Sequence, residues 1–552
     1  MGCPVSGVGE ESRAVCGCAC DAGRATDSAA VAPVTPVPAT ADATPNAAAN
    51  VATDPAQNVA PEGFVAHPAP ASRALTWTDG QSAINYTATA GHLDIRENDG
   101  SPIASLFVIS YVADAVSGDA TPAGPDRPVT FLFNGGPGSS SVWLNTGGFG
   151  PKKAPSMAPL PSGAAPYPIE DNPYTLLRRS DLVFIDAPET GWSTMAPGVP
   201  TSRAWGVDQD ADVFCRAVVD WIAANGRWNA PKYLFGESYA TTRVAVMANM
   251  IQNRCIDLNG VVMLSNLLDW AGDQAGSDAG YINLIPSYAA AAAYHKALAG
   301  GADAAEANAA VTDELMQRAE DFALGDYAVA LVQGDRLPAD REREVAELLS
   351  ALIGVDAGVL LRRHLRLDME DFRAALRADE GKMIGRFDAR FVADNDYVVG
   401  SGGADPATND AATAGVNSAE TCAFRAAVRE IGYEWNRPYL VLNNMQVEPN
   451  WNWMHRAPAV DEPMNCPNTA LDLSAAMRRN PLLKVAVMGG KYDLDCPYLS
   501  ARNDIAHLFL APRLKANISY GLYATGHMAY VDAAALAAMD ADLTAFYRDG
   551  RF

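Results

Sequence analysis

One serine of this chain has neighbours that favour nucleophilic chemistry. Residues 236–240 read Gly-Glu-Ser-Tyr-Ala, and they follow the short apolar run 233–235 and precede a helical pattern that begins at Thr241. Small residues two positions before and after Ser238 let a strand and a helix meet through a sharp turn that exposes the serine hydroxyl. The pattern departs from Gly-x-Ser-x-Gly only at Ala240. It predicts that Ser238 is a nucleophile.

A serine nucleophile needs a general base and a carboxylate that orients the base, and on a strand–turn–helix site both follow it in the chain. His455, His507 and His527 are the candidates for the base. His507 lies in a helical apolar pattern, which indicates a packed or surface role, and His455 follows an aromatic cluster and is a candidate pocket residue. His527 comes directly after the last predicted strand and is the best candidate. Asp493 and Asp495 both follow the preceding strand, and their spacing alone does not separate them.

A glycine-rich loop follows a different predicted strand. Residues 134–140 read Asn-Gly-Gly-Pro-Gly-Ser-Ser. They lack the Lys-Ser/Thr ending of a phosphate-binding P-loop and the GxGxxG spacing of a dinucleotide site. Beside a nucleophilic serine, such a loop supplies one backbone N–H of an oxyanion hole, and the residue after the nucleophile supplies the other. The predicted oxyanion donors are therefore Gly136 and Tyr239.

The elements around these residues alternate between strand and helix. Apolar runs bounded by turn residues are typical of strands buried on both faces of a mostly parallel sheet. Helical spacing of apolar residues separates several of them, and residues 75–115 show the polar–apolar alternation of antiparallel strands. The predicted strands are 129–133, 182–185, 233–235, 261–264, 485–488 and 518–523, and the predicted helices are 208–224, 241–253 and 533–547. The pattern predicts an α/β fold with a mixed sheet flanked by helices.

Two further segments shape the predicted domain organisation. Residues 28–60 consist mainly of Ala, Pro, Val and Thr without an aromatic or basic residue, which predicts a disordered tether. We therefore divide the chain into an N-terminal cysteine-containing segment and tether, 1–61, and a globular domain, 62–552. Residues 288–390 are rich in Ala, Leu, Glu and Arg with helical periodicity.

This helical block is followed by a Gly-, Asp- and Asn-rich stretch, 394–419, which we interpret as a long loop. Together they predict a helical cap inserted at about 285–420, either as a lid over a pocket or as an insertion that only thickens the domain.

Composition excludes several classes of function. The 552 residues carry a formal net charge of −24, which argues against binding to nucleic acid or to an anionic membrane surface. No run of about 18 uncharged apolar residues indicates a membrane span. Cys16, Cys18 and Cys20 are too closely spaced for the usual zinc pairs, so no metal and no cofactor are predicted. Disulfide pairing and oligomeric state stay open.

Taken together, four motifs of this chain resemble those of the serine carboxypeptidases, a family of the α/β-hydrolase superfamily. The chain resembles a bacterial-type member of that family. The resemblance runs from roughly Trp77 to the C-terminus. The motifs are Asn-Gly-Gly-Pro-Gly at 134–138, Gly-Glu-Ser-Tyr-Ala at 236–240, Gly-Lys-Tyr-Asp at 490–493 and Gly-His-Met at 526–528, and Pro-Glu-Thr-Gly-Trp-Ser at 188–193 also resembles a loop of that family.

The resemblance implies an α/β-hydrolase fold and a cofactor-free site with an oxyanion hole from Gly136 and Tyr239. It implies Ser238 as nucleophile, His527 as base and Asp493, rather than Asp495, as the orienting acid.

The resemblance also implies how a substrate is held. The family recognises a peptide's terminal carboxylate with an Asn and two Glu that share a proton, and Asn134 and Glu237 match the Asn and one Glu. Gly148 stands where the second Glu is expected. Without a like charge beside it, Glu237 loses one cause of a raised pKa. We therefore expect a modest preference for a free C-terminus that changes little with pH.

The resemblance predicts a peptidase that releases C-terminal residues from peptides, located outside the cytoplasm, either periplasmic or secreted. One alternative is an esterase or acyltransferase on the same scaffold, since an acyl-enzyme can be discharged by alcohols. A catalytically inactive binding module is the other alternative, although the three triad candidates are all present. Trp435, Trp451 and Trp453 are candidate walls of the acyl pocket.

Overall fold

The computed structural model describes residues 58–59, 62–118, 120–394 and 410–549. The predicted cysteine-containing segment and most of the predicted tether lie outside the described residues, so both stay predictions.

A ten-stranded sheet carries the fold. Its strands are β1 (Ala71–Thr78), β2 (Ala83–Arg96), β3 (Pro102–Ser117), β4 (Val129–Phe133), β5 (Asp181–Ile185), β6 (Thr194–Met195), β7 (Lys232–Glu237), β8 (Gly260–Leu264), β9 (Lys484–Gly490) and β10 (Ile518–Tyr523). Their spatial order is β10-β9-β8-β7-β4-β5-β3-β2-β1, and β6 pairs with β3. Strands β10, β9, β8, β7, β4 and β5 are parallel neighbours, whereas β1, β2 and β3 are antiparallel and β3 joins β5.

The sheet's parallel part consists of the predicted apolar runs. Strands β4, β5, β7 and β8 are buried along their whole length. Such strands need helices on both faces of the sheet, because neither apolar face is stable when it is exposed to water. The α/β fold class predicted from the sequence, a mostly parallel mixed sheet flanked by helices, is confirmed.

The described residues contain fifteen α-helices. They are α1 (Val207–Ala224), α2 (Tyr239–Met250), α3 (Ala279–Ala299), α4 (Ala304–Ala309), α5 (Asp313–Phe322), α6 (Ala328–Gln333), α7 (Ala339–Ile353), α8 (Ala357–Arg362), α9 (Met369–Ala375), α10 (Ala411–Ile431), α11 (Asn444–Val447), α12 (Ala470–Arg479), α13 (Tyr498–Ala506), α14 (Pro512–Lys515) and α15 (Ala533–Asp549). Helices α1, α2 and α12 contribute to the core on one face of the sheet, and α10 and α15 to the core on the other. None of these helices is both long and apolar enough to cross a membrane.

Three pairs of short strands lie outside the main sheet. They are Asn58–Val59 with His67–Pro68, Lys152–Lys153 with Glu170–Asp171, and Lys382–Ile384 with Val392–Asp394.

Helices α3 to α9 build a separate hydrophobic core. Tyr288, Leu349 and Phe372 belong to it, together with Tyr492 and Leu494 from the loop after β9. The helical insertion therefore packs directly on a loop that the sequence analysis connects with catalysis. Its role as a lid and the predicted domain boundaries stay predictions.

The predicted loop at 394–419 is wrong at its C-terminal end. Helix α10 begins at Ala411, and the Asp410 side chain caps it by accepting a hydrogen bond from the backbone N–H of Ala412. The first turns contain Gly415 and Asn417, whose low helix propensity favours a loop when taken alone. Packing decides the outcome, because Ala419 and Phe424 are buried against the rest of the protein.

Candidate active site

Ser238 occupies a strained turn between β7 and α2. Its φ and ψ are 60° and −134°, a conformation that non-glycine residues rarely adopt. A Cβ atom at Gly236 would overlap the carbonyl group of Ala240, so the tight crossing of strand and helix requires glycine there. The backbone N–H of Ser238 donates to the carbonyl oxygen of Leu264 at 3.0 Å, which ties the turn to β8. This is the geometry of an exposed nucleophile.

The loops after β9 and β10 bring an acid and a base together. Nδ1 of His527 lies 2.9 Å from Oδ2 of Asp493, and both residues are buried. The other oxygen of Asp493 accepts hydrogen bonds from the backbone N–H groups of Asp495 and Cys496, each at 2.9 Å. A carboxylate held at both oxygens is well fixed for orienting an imidazole.

Asp495 has a different partner. Its Oδ1 accepts a hydrogen bond from Nε of Arg386 at 2.6 Å, and Nη2 of the same guanidinium group lies 2.5 Å away. This charge beside Asp495 lowers its pKa, although burial opposes the shift. The geometry thus separates two aspartates that spacing left equivalent, since Asp493 faces His527 and Asp495 faces Arg386.

The electrostatic environment of His527 favours its protonated form. Burial lowers the pKa of the imidazole, but the charge and hydrogen bond of Asp493 and the charges of Asp495 and Glu237 outweigh burial and raise the pKa to about 9. The backbone N–H of His527 donates to the carbonyl oxygen of Phe387 at 2.6 Å, and the two rings meet edge to face at 5.1 Å. The imidazole is therefore held from two sides.

Asp495, Cys496 and His527 form the tightest group of potential metal ligands among the described residues. One ligand atom of each lies within 4.8 Å of the other two. Arg386 already neutralises Asp495, and a cation would have to compete with that guanidinium group. We therefore assign the three residues to the hydrogen-bonded network around the base and not to a metal site.

The glycine-rich loop lies directly against the nucleophile turn. A Cβ atom at Gly135 would lie 2.6 Å from the backbone nitrogen of Tyr239 and 2.8 Å from the carbonyl oxygen of Glu237. Gly136, with φ of 104°, lines a cavity together with Ser238. The two predicted oxyanion donors, Gly136 and Tyr239, thus flank the serine.

Arg243 contacts the glycine-rich loop, and no sequence motif identifies it as part of the site. It is buried and donates through Nη1 to the carbonyl oxygen of Asn134 at 2.9 Å. Its Nε forms an ion pair with Asp210 at 2.6 Å, and the guanidinium group lies 4.2 Å from the ring centre of Phe214. A buried arginine of this kind fixes the loop because every partner is itself buried.

Glu237 lies beside the candidate nucleophile, and its side chain is buried at the wall of the cavity that Ser238 also lines. Nδ2 of Asn134 donates to its Oε2, and the Tyr530 hydroxyl lies 2.9 and 3.0 Å from its two oxygens. Burial is the main cause that raises the pKa of Glu237 to about 7, and the charge of Asp493 acts in the same direction. His527, Tyr530 and Asn134 lower the pKa and limit the shift.

The structure changes the expectation that was drawn from Gly148. A Cβ atom there would lie 3.0 Å from Cγ of Tyr530, so the tyrosine ring covers the position from which a second glutamate would project. A carboxyl group reaches the neighbourhood from α10 instead, because a Cβ atom at Gly147 would lie 2.6 Å from Oε1 of Glu420. Glu237 therefore has an acidic neighbour after all.

Glu420 is buried, and its Oε2 has no hydrogen-bond partner among the described residues. Burial raises its pKa to about 8, while Lys153 opposes the shift and Glu237 adds to it. Nζ of Lys153 donates to the carbonyl oxygens of Gly147 and Tyr530 at 2.6 and 2.9 Å, and burial lowers the pKa of this amine to about 8.

Tyr530 and Glu420 were missed because sequence position gives no sign of their proximity to Glu237. Tyr530 comes three residues after His527, which is a weak signal, and Glu420 directly follows the stretch interpreted as a loop.

Two cavities meet at Ser238. The first, of about 260 Å³, is lined on one side by Asn134, Glu237 and Tyr530 and contains His527. The second, of about 230 Å³, has a mixed lining, in which the apolar and aromatic side chains of Tyr239, Leu267, Trp270, Leu284 and Met369 lie with the polar ones of Asp269 and Asn283. Gly136, Ser238, Arg386, Glu448 and Asp495 line both. An extended ligand with a group on each side of the serine fits this arrangement.

Several predicted pocket residues lie elsewhere. The ring of His455 is fully buried between Asp208 and Asp472, with nitrogen–oxygen distances of 2.6 and 2.8 Å, and does not line either cavity. His507 ends α13 and is exposed, as its helical pattern predicts.

The tryptophan prediction is also corrected. Trp451 and Trp453 pack on the ring of Tyr239 at 5.3 and 6.1 Å, behind the cavity wall. Trp435 lies 5.2 Å from the ring of His92, near the antiparallel edge of the sheet. Trp270, which was not predicted, is the tryptophan that lines the second cavity.

The sheet order, the strained serine and the aspartate–histidine pair on the loops after the last two strands are those of an α/β-hydrolase fold. Within this superfamily, residues 80–295 match the family model for serine carboxypeptidases. The resemblance that the motifs predicted is thereby confirmed.

Curated relatives support the same family. Serine carboxypeptidase-like 50 of Arabidopsis thaliana is 30% identical over 188 residues, which is 33% of this chain and 38% of that protein. Serine carboxypeptidase-like 34 of the same plant is 26% identical over 213 residues, covering 36% of this chain and 38% of that protein. The chain therefore spans less than half the length of the curated relatives it matches.

Among solved structures, Kex1, a prohormone-processing carboxypeptidase from Saccharomyces cerevisiae, is 14% identical with a TM-score of 0.48. The match covers 84% of this chain and 92% of that chain.

Proposed function

We propose that this protein is a serine-type carboxypeptidase that releases C-terminal residues from peptides through an acyl-enzyme intermediate. The observation that carries the proposal is that one cavity is lined by Ser238 and His527 and also by the buried polar side chains of Asn134 and Glu237. The family match over residues 80–295 supports the reaction class.

In the first step, Oγ of Ser238 attacks the carbonyl carbon of the last peptide bond. Nε2 of His527 accepts the hydroxyl proton, and Asp493 at Nδ1 stabilises the imidazolium that forms. The backbone N–H groups of Gly136 and Tyr239 donate to the oxyanion of the tetrahedral intermediate. His527 then gives its proton to the leaving nitrogen, and the C-terminal amino acid departs.

In the second step, water attacks the acyl-enzyme. His527 takes a proton from the water as the new bond forms, and returns it to Oγ of Ser238 when the tetrahedral intermediate collapses. The shortened peptide leaves as a carboxylic acid, and the serine is regenerated. No cofactor takes part in these steps.

The first cavity is the proposed subsite for the departing residue. A neutral Glu237 donates its proton in a hydrogen bond to the substrate's terminal carboxylate, and Asn134 and Tyr530 hold that glutamate in place. The second cavity, whose lining includes Leu267, Trp270 and Leu284, takes the side chain on the acyl side. The substrate is therefore a peptide with a free α-carboxylate.

An extracytoplasmic location, periplasmic or secreted, belongs to the same proposal. The composition of residues 28–60, which resembles a tether ahead of a globular domain, supports it.

A fluorophosphonate probe tests the proposal. The wild-type protein should be labelled at Ser238 and should hydrolyse a blocked dipeptide that has a free C-terminus. With an alcohol acceptor present, hydrolysis of the acyl-enzyme should exceed acyl transfer to the alcohol. Ser238→Ala should abolish labelling and lower turnover by several orders of magnitude, while the exposed Ser117→Ala control should leave both unchanged. Labelling that persists in Ser238→Ala would contradict the assignment, and dominant acyl transfer to the alcohol would favour the esterase or acyltransferase alternative.

A further inference from the structure

Two carboxylates, not one, lie close to the proposed base. Asp493 contacts Nδ1 of His527 directly, and a carboxylate oxygen of Asp495 lies within 4.8 Å of a ring nitrogen of the same histidine. A small side-chain rotation would bring the second carboxylate into competition for the imidazole. Some contact must therefore keep Asp493 as the partner of His527.

Arg386 makes that contact, because it binds the competing carboxylate of Asp495. Its guanidinium group contacts Oδ1 of Asp495 through Nε at 2.6 Å and through Nη2 at 2.5 Å, so two N–H groups bind one carboxylate oxygen. The side chain of Asp495 is 15% exposed and that of Arg386 is 29% exposed, so water screens this pair only in part. Such a charge-assisted contact fixes the carboxylate and opposes its field at the histidine.

The segment that carries Arg386 also holds the loops of the triad in place. The carbonyl oxygen of Arg386 accepts a hydrogen bond from the backbone N–H of Leu494 at 3.1 Å, beside Asp493. The next residue, Phe387, accepts from the backbone N–H of His527 at 2.6 Å. Two consecutive residues from the helical insertion side of the molecule thus bridge the acid loop and the base loop.

We propose that Arg386 is a positioning residue for the catalytic base, because it neutralises Asp495 and thereby reserves His527 for Asp493. This inference rests on the proposed function, since it assigns His527 the role of base. It predicts that the charges of Arg386 and Asp495 act on His527 with opposite sign, so that Arg386 reduces the effect of Asp495 in the native protein.

The charged groups that face His527 define the expected signs. They are Asp493 and Asp495 on the acid loop, Glu237 at the end of β7 and Arg386 beside Asp495, and the titratable thiol of Cys496 also lies within 4.8 Å of a ring nitrogen. Removing Arg386 leaves Asp495 uncompensated, which stabilises the imidazolium. Removing the carboxylate of Asp495 leaves Arg386 uncompensated, which destabilises the imidazolium.

The experiment measures kcat/KM against pH with a blocked dipeptide amide, which has no terminal carboxylate and so does not report Glu237. The activity should rise as His527 loses its proton. In Arg386→Gln the midpoint of this rise should move up by about one pH unit, and in Asp495→Asn it should move down by about one unit. The double variant should return close to the wild-type midpoint, and Arg386→Lys, which keeps the charge, should stay close to it as well.

A purely structural role for Arg386 would give lower kcat with an unchanged midpoint and a double variant worse than either single one. That result would overturn the proposal, as would single variants that shift the midpoint in the same direction. If Arg386→Gln does not fold, the downward shift in Asp495→Asn and the unchanged midpoint in Arg386→Lys remain decisive.

Failure of the proposed function is recognisable separately, because hydrolysis and probe labelling would then survive Ser238→Ala. An NMR titration of the His527 ring, assigned with His527→Gln, measures the same opposite shifts without requiring activity. Unshifted titrations in both single variants would refute the pairing.

Discussion

Glu237 should make the preference for a free C-terminus depend on pH. Its neutral form can donate a hydrogen bond to a substrate carboxylate, whereas its ionised form repels one. Burial raises the pKa of Glu237 to about 7. The preference should therefore be full below neutral pH and decline above it, in contrast to the weak pH dependence that the sequence predicts from Gly148.

The size of the effect follows from the ionisation. Two pH units above its pKa, about 1% of a carboxyl group is still protonated. If only the neutral form accepts the carboxylate, the preference should fall about 100-fold between pH 5 and pH 9. The steepest part of this decline should lie at about the pKa of Glu237.

The assay is the ratio of kcat/KM for a blocked dipeptide over kcat/KM for its C-terminal amide. Both substrates need neutral His527, so its titration cancels in the ratio and Glu237 remains. The ratio in Glu237→Gln should be independent of pH, because an amide donates a hydrogen bond in every form.

Two neighbours of Glu237 should move the midpoint in opposite directions. Tyr530→Phe removes a hydrogen bond that stabilises the anion, which should move the midpoint to higher pH. Glu420→Gln removes a buried carboxyl group that interacts electrostatically with Glu237, which should move it to lower pH. A wild-type ratio that stays constant from pH 5 to 9 would refute the reasoning and restore the expectation based on Gly148 alone.

Three further outcomes test the site and its frame. Asp493→Asn should leave circular dichroism unchanged but lower kcat about 10⁴-fold, because the amide misorients His527; a wild-type rate would exclude this acid. Contacts with two aspartates raise the pKa of His455 to about 9 from 6.5, so its charge stabilises the fold below about pH 6.5 and that stability is lost as pH rises through about 9. Urea denaturation should accordingly show His455→Gln to be less stable by about 2 kcal/mol at pH 6 and nearly equal to wild type at pH 10, and a constant difference would argue for packing alone. Gly236→Val should lower Tm by several degrees, since its side chain meets the carbonyl group of Ala240, and an unchanged Tm in differential scanning fluorimetry would show that the turn can relax.

Local patterns predicted the sheet, and they place the candidate nucleophile on a turn after one of its strands. The buried strands at 129–133 and 261–264 are continuous apolar runs, and the turn around Ser238 needs small residues at fixed offsets. Such features depend on neighbours in the chain, so they are readable without a structure. The start of α10 could not be read from local patterns, because residues 411–419 acquire their helical conformation from packing.

By itself, the amino-acid sequence determined the α/β fold class, the family resemblance and which serine, aspartate and histidine are candidates for the triad, since each depends on short motifs in chain order. Tertiary structure decided which groups meet those candidates. Arg386 reaches Asp495 across 109 residues of chain, and Tyr530 reaches Glu237 across 293. Glu420, which lies beside Gly147, interacts electrostatically with Glu237. Electrostatic and hydrogen-bond energies depend on distance in space and on burial, and neither quantity is encoded in the spacing of residues along the chain.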